Sequence, residues 1–388
     1  MFEIMDTQSQ DAVIKVIGVG GCGGNAVDHM IEQGVQGVEF VAINTDAQAL
    51  KRNKARTQLQ IGANITKGLG AGAVPDVGRA AAEEDRARIA EMINGANMIF
   101  ITAGMGGGTG TGAAPIVAQV AKEMEILTVA VVTKPFAHEG KRTRLAQTGI
   151  EELSEHVDSL IIVPNEKLMT VLGEDTTLLD AFRASNGVLQ GAVAGIAEVI
   201  NVPGLVNVDF ADVRTLMSEN GMAMMGSATA SGGDRAQVAA ERAMSSPLLE
   251  DVNLGGARGV LVNISSSTSL TLKEYKQVTT SVQFAVEDAT VIVGSVFDET
   301  MGDELRVTIV ATGLGSPLVR KQPKPELVVS QRTGTHDEVG EEVPAVNYSE
   351  LDMPTVMRSN RRKEAIEAMK QSGVETLDIP SFLRKQAD

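Results

Sequence analysis

Ala103-Gly104-Met105-Gly106-Gly107-Gly108-Thr109-Gly110-Thr111-Gly112 is the stretch whose reading decides the fold. Six of its ten residues are glycine; the apolar run Met98-Ile99-Phe100-Ile101 precedes it and a helix-like segment, Ala113–Glu125, follows. A strand, a turn almost free of side chains and a helix start, in that order, let successive backbone N–H groups converge on one point. The helix dipole adds positive potential there. An anion fits, and phosphate is the usual one. Thr109 and Thr111 add hydroxyl donors. A turn that only reverses the chain needs no such density of glycine.

Two further glycine-rich segments precede this one. Ala12–Val19 reads as a buried strand, then Gly20-Gly21-Cys22-Gly23-Gly24-Asn25 as a loop, then a helix from Ala26 to Gln33. Gly18, Gly20 and Gly23 have the spacing of a dinucleotide fold. The next strand, Val38–Asn44, ends in Asn44-Thr45-Asp46, and an acidic residue there suits a ribose hydroxyl in an NAD site. Gly68-Leu69-Gly70-Ala71-Gly72-Ala73 is the third loop, and Pro75 opens a helix reaching Asn94. Strands over Leu127–Thr133 and Ser159–Val163, with a helix over Arg142–Glu155 between them, continue the alternation. Strands alternating with helices predict a parallel, Rossmann-like sheet covered on both faces, with ligands at the carboxyl ends of the strands. One glycine loop serves an NAD site. Three converging loops predict a longer phosphate chain, and no GxxxxGK[ST] run makes this a P-loop enzyme.

The chain of 388 residues is long enough for two domains and a tail. With 43% apolar residues but 3% aromatic and no Trp, its core must be built from Val, Ile, Leu, Ala and Met. A net charge of −16 argues against nucleic acid and against direct attachment to anionic lipid. An anionic ligand must therefore be held locally. One cysteine, Cys22, excludes an internal disulfide, and four scattered histidines without HExxH spacing argue against a zinc site. The absence of a basic-then-apolar leader predicts a cytoplasmic chain, and no apolar run approaches the ~18 residues of a membrane span.

Thr176 or Thr177 caps a long helix from Leu178 to Ile200, roughly 35 Å at 1.5 Å per residue. Gly187, Gly191 and Gly195 form one stripe on it, which predicts a close approach of helix to sheet. Asp209 and Asp212 fall in the first turn of a following helix, where negative charge complements the dipole. The other reading is a carboxylate pair that positions water or metal. Helices over Arg235–Ser246 and Thr271–Phe284 and strands over Gly259–Ile264, Thr290–Val296 and Glu304–Ala311 predict a second, smaller α/β unit. Six of the twelve prolines fall from Pro317 onward, which predicts a disordered linker. The end, Asp378-Ile379-Pro380-Ser381-Phe382-Leu383-Arg384, carries an apolar stripe on a short helix and predicts a peptide that docks in a partner's groove. The expected segments are a loose 1–10, a nucleotide domain 11–177, the helix 178–202, a second domain 203–316, a linker 317–375 and the docking peptide 376–388.

Gly106-Gly107-Gly108-Thr109-Gly110-Thr111-Gly112 resembles the signature loop of the tubulin/FtsZ GTPase family. The Asn25-Ala26-Val27 and Thr66–Ala73 segments, the Asn-x-Asp-x-x-Asp at 207–212 and the tail resemble its bacterial cell-division branch, over essentially the whole chain. The resemblance implies GTP/GDP as ligand, with Mg2+, and filaments of a cytokinetic ring grown head to tail. It implies that Gly20, Gly21, Cys22, Gly23, Gly24, Asn25, Ala71, Gly72, Ala73, Gly104, Gly106, Gly107, Gly108, Thr109 and Gly110 wrap the phosphates. Asn44, Asp46, Thr133, Pro135, Arg142, Thr143 and Asn165 would line the nucleotide. Glu139 would meet the ribose, Phe182 would stack on guanine, and Asn186 and Gly187 would read its edge. Asp209 and Asp212, with Asn207, would act on the nucleotide of the next subunit. The tail would bind membrane adaptors and other division proteins at mid-cell, with no direct membrane insertion.

Three positions depart from the family pattern. Cys22 stands where a glycine is usual, Thr143 where an arginine is usual, and Gly187 where a base-reading aspartate is usual. Arg142 or Arg144 would substitute for the arginine, and Gly187 predicts weakened guanine selectivity. The alternative from another class is an NAD-dependent oxidoreductase resting on the GxGxxG spacing and Asp46.

Overall fold

Continuous apolar runs, buried on both faces, become parallel strands because helices cover both sides of the sheet. The computed structural model describes residues 12–173, 176–202, 208–219, 221–249, 254–286 and 289–314. The expected loose N-terminus, the linker and the docking peptide lie outside the described residues. So does Asn207.

Six strands form the first half: β1 (Ile14–Val19), β2 (Glu39–Asn44), β3 (Thr57–Gln60), β4 (Met98–Gly104), β5 (Leu127–Lys134) and β6 (Ser159–Pro164). All pair in parallel, in the order β3-β2-β1-β4-β5-β6. The order reverses direction between β1 and β4, and such a switch point opens a crevice at the strands' carboxyl ends. The helices are α1 (Gly20–Glu32), α2 (Ala47–Arg52), α3 (Ala63–Thr66), α4 (Pro75–Glu84), α5 (Arg86–Ile93), α6 (Thr109–Glu123), α7 (Lys141–Ser154), α8 (Asn165–Leu172) and α9 (Leu178–Asn201). One core layer joins Val16, Val27, Met30, Phe100, Val131, Leu189, Val193 and Ile196, from α1, α9 and one sheet face. The other joins Ile17, Ile43, Ile89, Ile99, Ile101, Val117, Ile150 and Leu153, on the opposite face.

The second half holds α10 (Phe210–Met217), β7 (Gly221–Ser231), α11 (Arg235–Met244), β8 (Gly259–Ser266), α12 (Leu272–Ala285), β9 (Thr290–Phe297) and β10 (Glu304–Leu314). β10 lies antiparallel between β7 and β8, and β9 is parallel to β8. Three parallel register pairs, from Ser159↔Gly221 to Ile161↔Ala223, join β6 to β7, so the two halves share one ten-stranded sheet. The long helix α9 supports both. A Cβ built on its Gly195 would lie 2.7 Å from the Thr308 side chain, so this glycine is the close approach that the stripe predicts. Its Glu198 accepts hydrogen bonds from Asn263 at 3.1 Å, Ser265 at 3.2 Å and Arg306 at 3.2 Å, which clasp β8 and β10.

Several boundaries differ from the sequence reading. α1 starts at Gly20, so Gly20–Asn25 is the helix's first turns rather than a loop, and α6 starts at Thr109, four residues before Ala113. Tertiary packing overrides glycine's poor helix propensity at both places. The helix expected from Pro75 to Asn94 breaks at Asp85, whose carboxylate accepts from the Gly62 N–H at 2.7 Å and pairs with Arg88 at 2.8 Å. The third glycine segment follows α3 rather than a strand. It reaches the carboxyl edge through the Asp46↔Leu69 bridge and the Ala47 N–H, which donates to the Gly68 carbonyl at 3.1 Å.

One buried ion pair holds the second half's helices together. Arg235 is 6% exposed and donates to Glu274 at 2.7 Å, to the Asp303 carbonyl at 2.9 Å and to the Ser269 hydroxyl at 3.0 Å. The Arg235 guanidinium holds the Glu274 carboxyl at about 2, against an ordinary 4.5. A depressed carboxyl stabilises the fold above its ordinary value, and that stability is lost as pH falls from 4.5 toward 2. The amount is about 3 kcal/mol. Urea unfolding should show this loss across that window. Glu274→Gln should destabilise the protein by roughly 3–5 kcal/mol at pH 7, by stranding a buried cation, and should flatten the acid limb. An acid limb of unchanged steepness in the variant would contradict the assignment.

Candidate nucleotide site

The turns that leave β1 and β4 touch one another at the switch point. A Cβ on Gly20, whose φ is +75°, would lie 2.9 Å from the Gly110 nitrogen, and one on Gly110 would lie 2.7 Å from the Gly104 oxygen. A Cβ on Gly108 would meet Ala71 at 2.9 Å, and one on Gly78 would meet the Gly108 oxygen at 2.4 Å. Residues 71–78 therefore pack directly on the second turn. By contrast, Cβ atoms on Gly21, Gly72 and Gly107 would meet nothing within 4 Å. These three glycines face open space beside the N-termini of α1 and α6, whose first N–H groups have no partner inside their own helices. That is a bed for phosphate. A cleft of about 170 Å³ adjoins it, lined by Gly20, Gly21, Gly24, Asn25, Asn44 and Asn53.

The hydroxyls divide their work. Thr111 is 2% exposed and accepts from the Gly106 N–H at 2.8 Å, so it closes the turn from inside instead of offering a donor to a ligand. Thr109 shares a 2.7 Å hydrogen bond with Thr45, whose carbonyl accepts from Thr66 at 3.3 Å. Thr45 is a residue that the sequence reading passed over between Asn44 and Asp46, and nothing but its place at the end of β2 signals it. The Asp46 carboxylate caps α2, accepting from the N–H groups of Gln48 at 2.8 Å and Ala49 at 3.2 Å. Both bonds fall on Oδ1, so the carboxylate on which the NAD alternative rests serves as a helix cap in this fold. Asn44 is 6% exposed and accepts from the Asp46 N–H at 3.2 Å. Gly23 is buried against the Thr102 carbonyl, while Asn25 is exposed.

Cys22 turns its side chain into the sheet. A Cβ on Gly104 would lie 2.8 Å from the Cys22 Sγ, and Sγ stands 3.7 Å from the Thr133 hydroxyl. Burial pushes this thiol up from its ordinary value, against a smaller lowering by Thr133. The side chain thus fills the space that Gly104 leaves.

Around the far end lie the groups expected for sugar and base. Pro135 turns the chain out of β5 into Phe136, whose ring stacks on His138 at 5.4 Å and meets the Phe182 ring edge-on at 6.3 Å. Phe182 itself is 47% exposed, leaving a face open. Glu139 accepts from the Phe136 N–H at 3.0 Å and from Arg142 at 2.9 Å. Arg142, not Arg144, therefore stands beside the glutamate. Thr143 donates to the Phe136 carbonyl at 3.2 Å and so braces the turn. Glu166 accepts from the Ala137 N–H at 3.1 Å and ties α8 to the same turn. Asn165 opens α8 and is buried against Ser185 of α9. On α9, at about 100° per residue, Asn186 falls about 40° from Phe182, whereas Gly187 falls about 140° away. Helical phase thus separates the two residues paired in the sequence reading: Asn186 shares the Phe182 side and Gly187 does not.

Asp209 and Asp212 are exposed and stand apart from all these groups. Asp209 caps α10, accepting from the Ala211 N–H at 3.4 Å, and Asp212 lies in its first turn. α10 is anchored at the amino edge of the sheet. Arg214 donates to the Glu125 carbonyl just before β5 at 3.3 Å, and Ser159, the first residue of β6, donates to the Met217 carbonyl at 2.8 Å. The glycine turns occupy the opposite, carboxyl edge. The eight residues of β5 span about 26 Å between the two edges, at roughly 3.3 Å per residue.

Residues 13–173 match the Tubulin/FtsZ family, GTPase domain, and residues 221–315 match the FtsZ family, C-terminal domain. The Cell division protein FtsZ of Pseudomonas putida is 57% identical over 402 residues, covering 100% of both chains. That of Pseudomonas aeruginosa is 58% identical over 398 residues, again covering 100% of both. An empty FtsZ dimer from M. jannaschii superposes with a TM-score of 0.76 at 43% identity, covering 79% of this chain and 89% of that one. CetZ2 from Haloferax volcanii, solved as a GTPgS bound protofilament, shares the fold at 21% identity, with a TM-score of 0.66, covering 78% of this chain and 93% of that one. Similarity that runs through both halves of the chain leaves one conclusion: the chain belongs to the FtsZ family, the cell-division GTPases that form filaments.

Proposed function

We propose that GTP lies across the starts of α1 and α6, that the filament grows head to tail, and that hydrolysis is completed by the neighbouring copy. The phosphates sit over Gly20–Asn25, Ala71–Ala73 and Gly104–Gly110. The ribose sits beside Glu139 and Arg142, with Thr133 and Pro135 beneath, and guanine stacks on Phe182 with Asn165 and Asn186 at its edge. Asp209 and Asp212, with Asn207 outside the described residues, orient the attacking water on the next copy's nucleotide. The observation that supports this most is the separation of α10 from the glycine turns by the full length of the sheet. Carboxylates that far from their own chain's phosphates reach a nucleotide only when a second copy stacks its carboxyl edge beneath them.

Attack on a γ-phosphate needs a positioned water, an in-line path and neutralised charge, with little covalent help. Among the described residues no group of three or more His, Cys, Asp or Glu side chains makes a metal cage. Mg2+ would be held chiefly by the phosphates and water. When bound, the ion would neutralise charge on the β- and γ-phosphates. A stacking interface whose rotation does not close produces an open filament. Among the described residues no helix is long and apolar enough to cross a membrane. The terminal peptide, Asp378–Gln386, supplies the link to membrane adaptors and division regulators at mid-cell.

Turnover per subunit should rise with protein concentration. Asp212→Ala should still bind GTP, lose at least about a hundredfold in turnover, and poison filaments of the parent protein when mixed in. Steady-state GTPase assays paired with light scattering measure this. Constant turnover down to concentrations at which only monomers scatter would overturn the two-copy site. Deleting Asp378–Asp388 should leave assembly and hydrolysis close to the parent's and abolish capture by a membrane adaptor in co-sedimentation. Phe382→Ala should cost about 2 kcal/mol of that binding, as a buried aromatic anchor does. Loss of assembly on deletion would assign the tail to the fold instead.

A further inference from the structure

The base side of the site contains one buried hydrogen bond that neither phosphate binding nor hydrolysis uses. Asn165 is 6% exposed and Ser185 is 4% exposed, and the Ser185 hydroxyl donates to the Asn165 Oδ1 at 3.1 Å. The bond runs between α8 and α9, with no water-exposed member. An asparagine amide carries two different ends, an acceptor oxygen and a donor NH2, and a partner on one end fixes what the other end offers.

We propose that Ser185 is a positioning residue for base selection: by holding the Asn165 oxygen toward α9 it turns the amide's NH2 end to the base, and the guanine 2-amino group is left unread. This rests on the reading of Phe182 as the guanine stack. Ser185 lies about 60° around α9 from Phe182 on one side, and Asn186 about 40° on the other. The base therefore meets two amides. Asn165 presents its NH2 to a purine acceptor. Asn186 can pair its oxygen with the ring N1–H and its NH2 with O6, which selects guanine over adenine. Beyond Ser185 and Asn186, no residue of α9 within about 60° of Phe182 carries a side-chain acceptor for the 2-amino group, and Gly187, without a side chain, falls about 140° away.

The consequence concerns inosine, which keeps O6 and N1–H and lacks only the 2-amino group. ITP should bind this protein within about threefold of GTP, while ATP is rejected. Removing the serine hydroxyl frees the Asn165 amide to turn and accept from the 2-amino group. A neutral hydrogen bond gained in this way changes a binding ratio by about three- to tenfold. Ser185→Thr retains the hydroxyl and should retain the parent's ratio.

The test is displacement of a fluorescent GTP analogue from the full-length protein, below its assembly concentration, by unlabelled GTP, ITP and ATP. The parent, Ser185→Ala and Ser185→Thr are compared. The expected result is near-equal GTP and ITP for the parent and Ser185→Thr, with a GTP-over-ITP preference about three- to tenfold higher in Ser185→Ala. A parent that already prefers GTP over ITP by more than tenfold reads the 2-amino group, and the proposal fails. An unchanged ratio in Ser185→Ala also overturns it. A parent that takes ATP as readily as GTP overturns the placement of Asn186 at the guanine edge, an outcome separate from the other two.

Discussion

Two backbone turns can lie against each other at the switch point only because neither carries side chains there. Contacts of 2.4–2.9 Å between would-be Cβ atoms and neighbouring main chain leave no choice of residue at Gly20, Gly78, Gly108 and Gly110. Glycine at such positions costs conformational entropy on folding, and burial of two core layers around the turns offsets it. What the close approach produces is a converging set of helix-start N–H groups. A chain of net charge −16 repels anions at long range. Its ligand must accordingly be held by short-range dipoles, which are strong only where water is excluded and the donors are fixed in advance.

The same sheet that assembles this bed keeps the acidic pair of α10 away from it. Parallel strands put every turn that leaves a carboxyl end on one edge, and α10 is tied to the other by Arg214 and Met217. In the two-copy site proposed above, stacking copies edge to edge brings the two parts together, and hydrolysis belongs to the contact between copies.

Much of this was legible in the sequence, and the parts that were not have physical reasons. Buried parallel strands are continuous apolar runs, so β1, β2, β4, β5 and β6 stand out in the sequence. β3 is an edge strand, Thr-Gln-Leu-Gln with Leu59 its one buried residue, and carries no such signal. β7, Gly-Met-Ala-Met-Met-Gly-Ser-Ala-Thr-Ala-Ser, has no β-branched apolar or aromatic residue, and its small residues admit α11 closely at Gly226, where a Cβ would meet the Ala243 oxygen at 2.0 Å. The helix starts at Gly20 and Thr109 were read too late because glycine in a first turn looks like loop. Spacing alone could not separate dipole matching from catalysis at Asp209 and Asp212. That distinction depends on which sheet edge α10 occupies, a fact of topology rather than of local sequence.

The three departures from the family's pattern are each absorbed by a neighbour, and in a different way. Cys22 adds volume where the usual residue has none, and Gly104 supplies the missing space beneath it, so the open side of the turn stays clear. Thr143 gives up a cation, but one residue earlier Arg142 pairs with Glu139 while the threonine hydroxyl holds the Phe136 carbonyl, so charge and turn are maintained by two residues instead of one. Gly187 falls on a side of α9 turned away from Phe182, which leaves Asn186 on the Phe182 side. The main-chain contacts of the glycine turns have no such latitude, because no neighbouring side chain can replace them, and Cys22 is tolerated among them because its side chain packs inward against Gly104. The other two departures fall where side chains make the contacts, so a neighbour can take over a lost role.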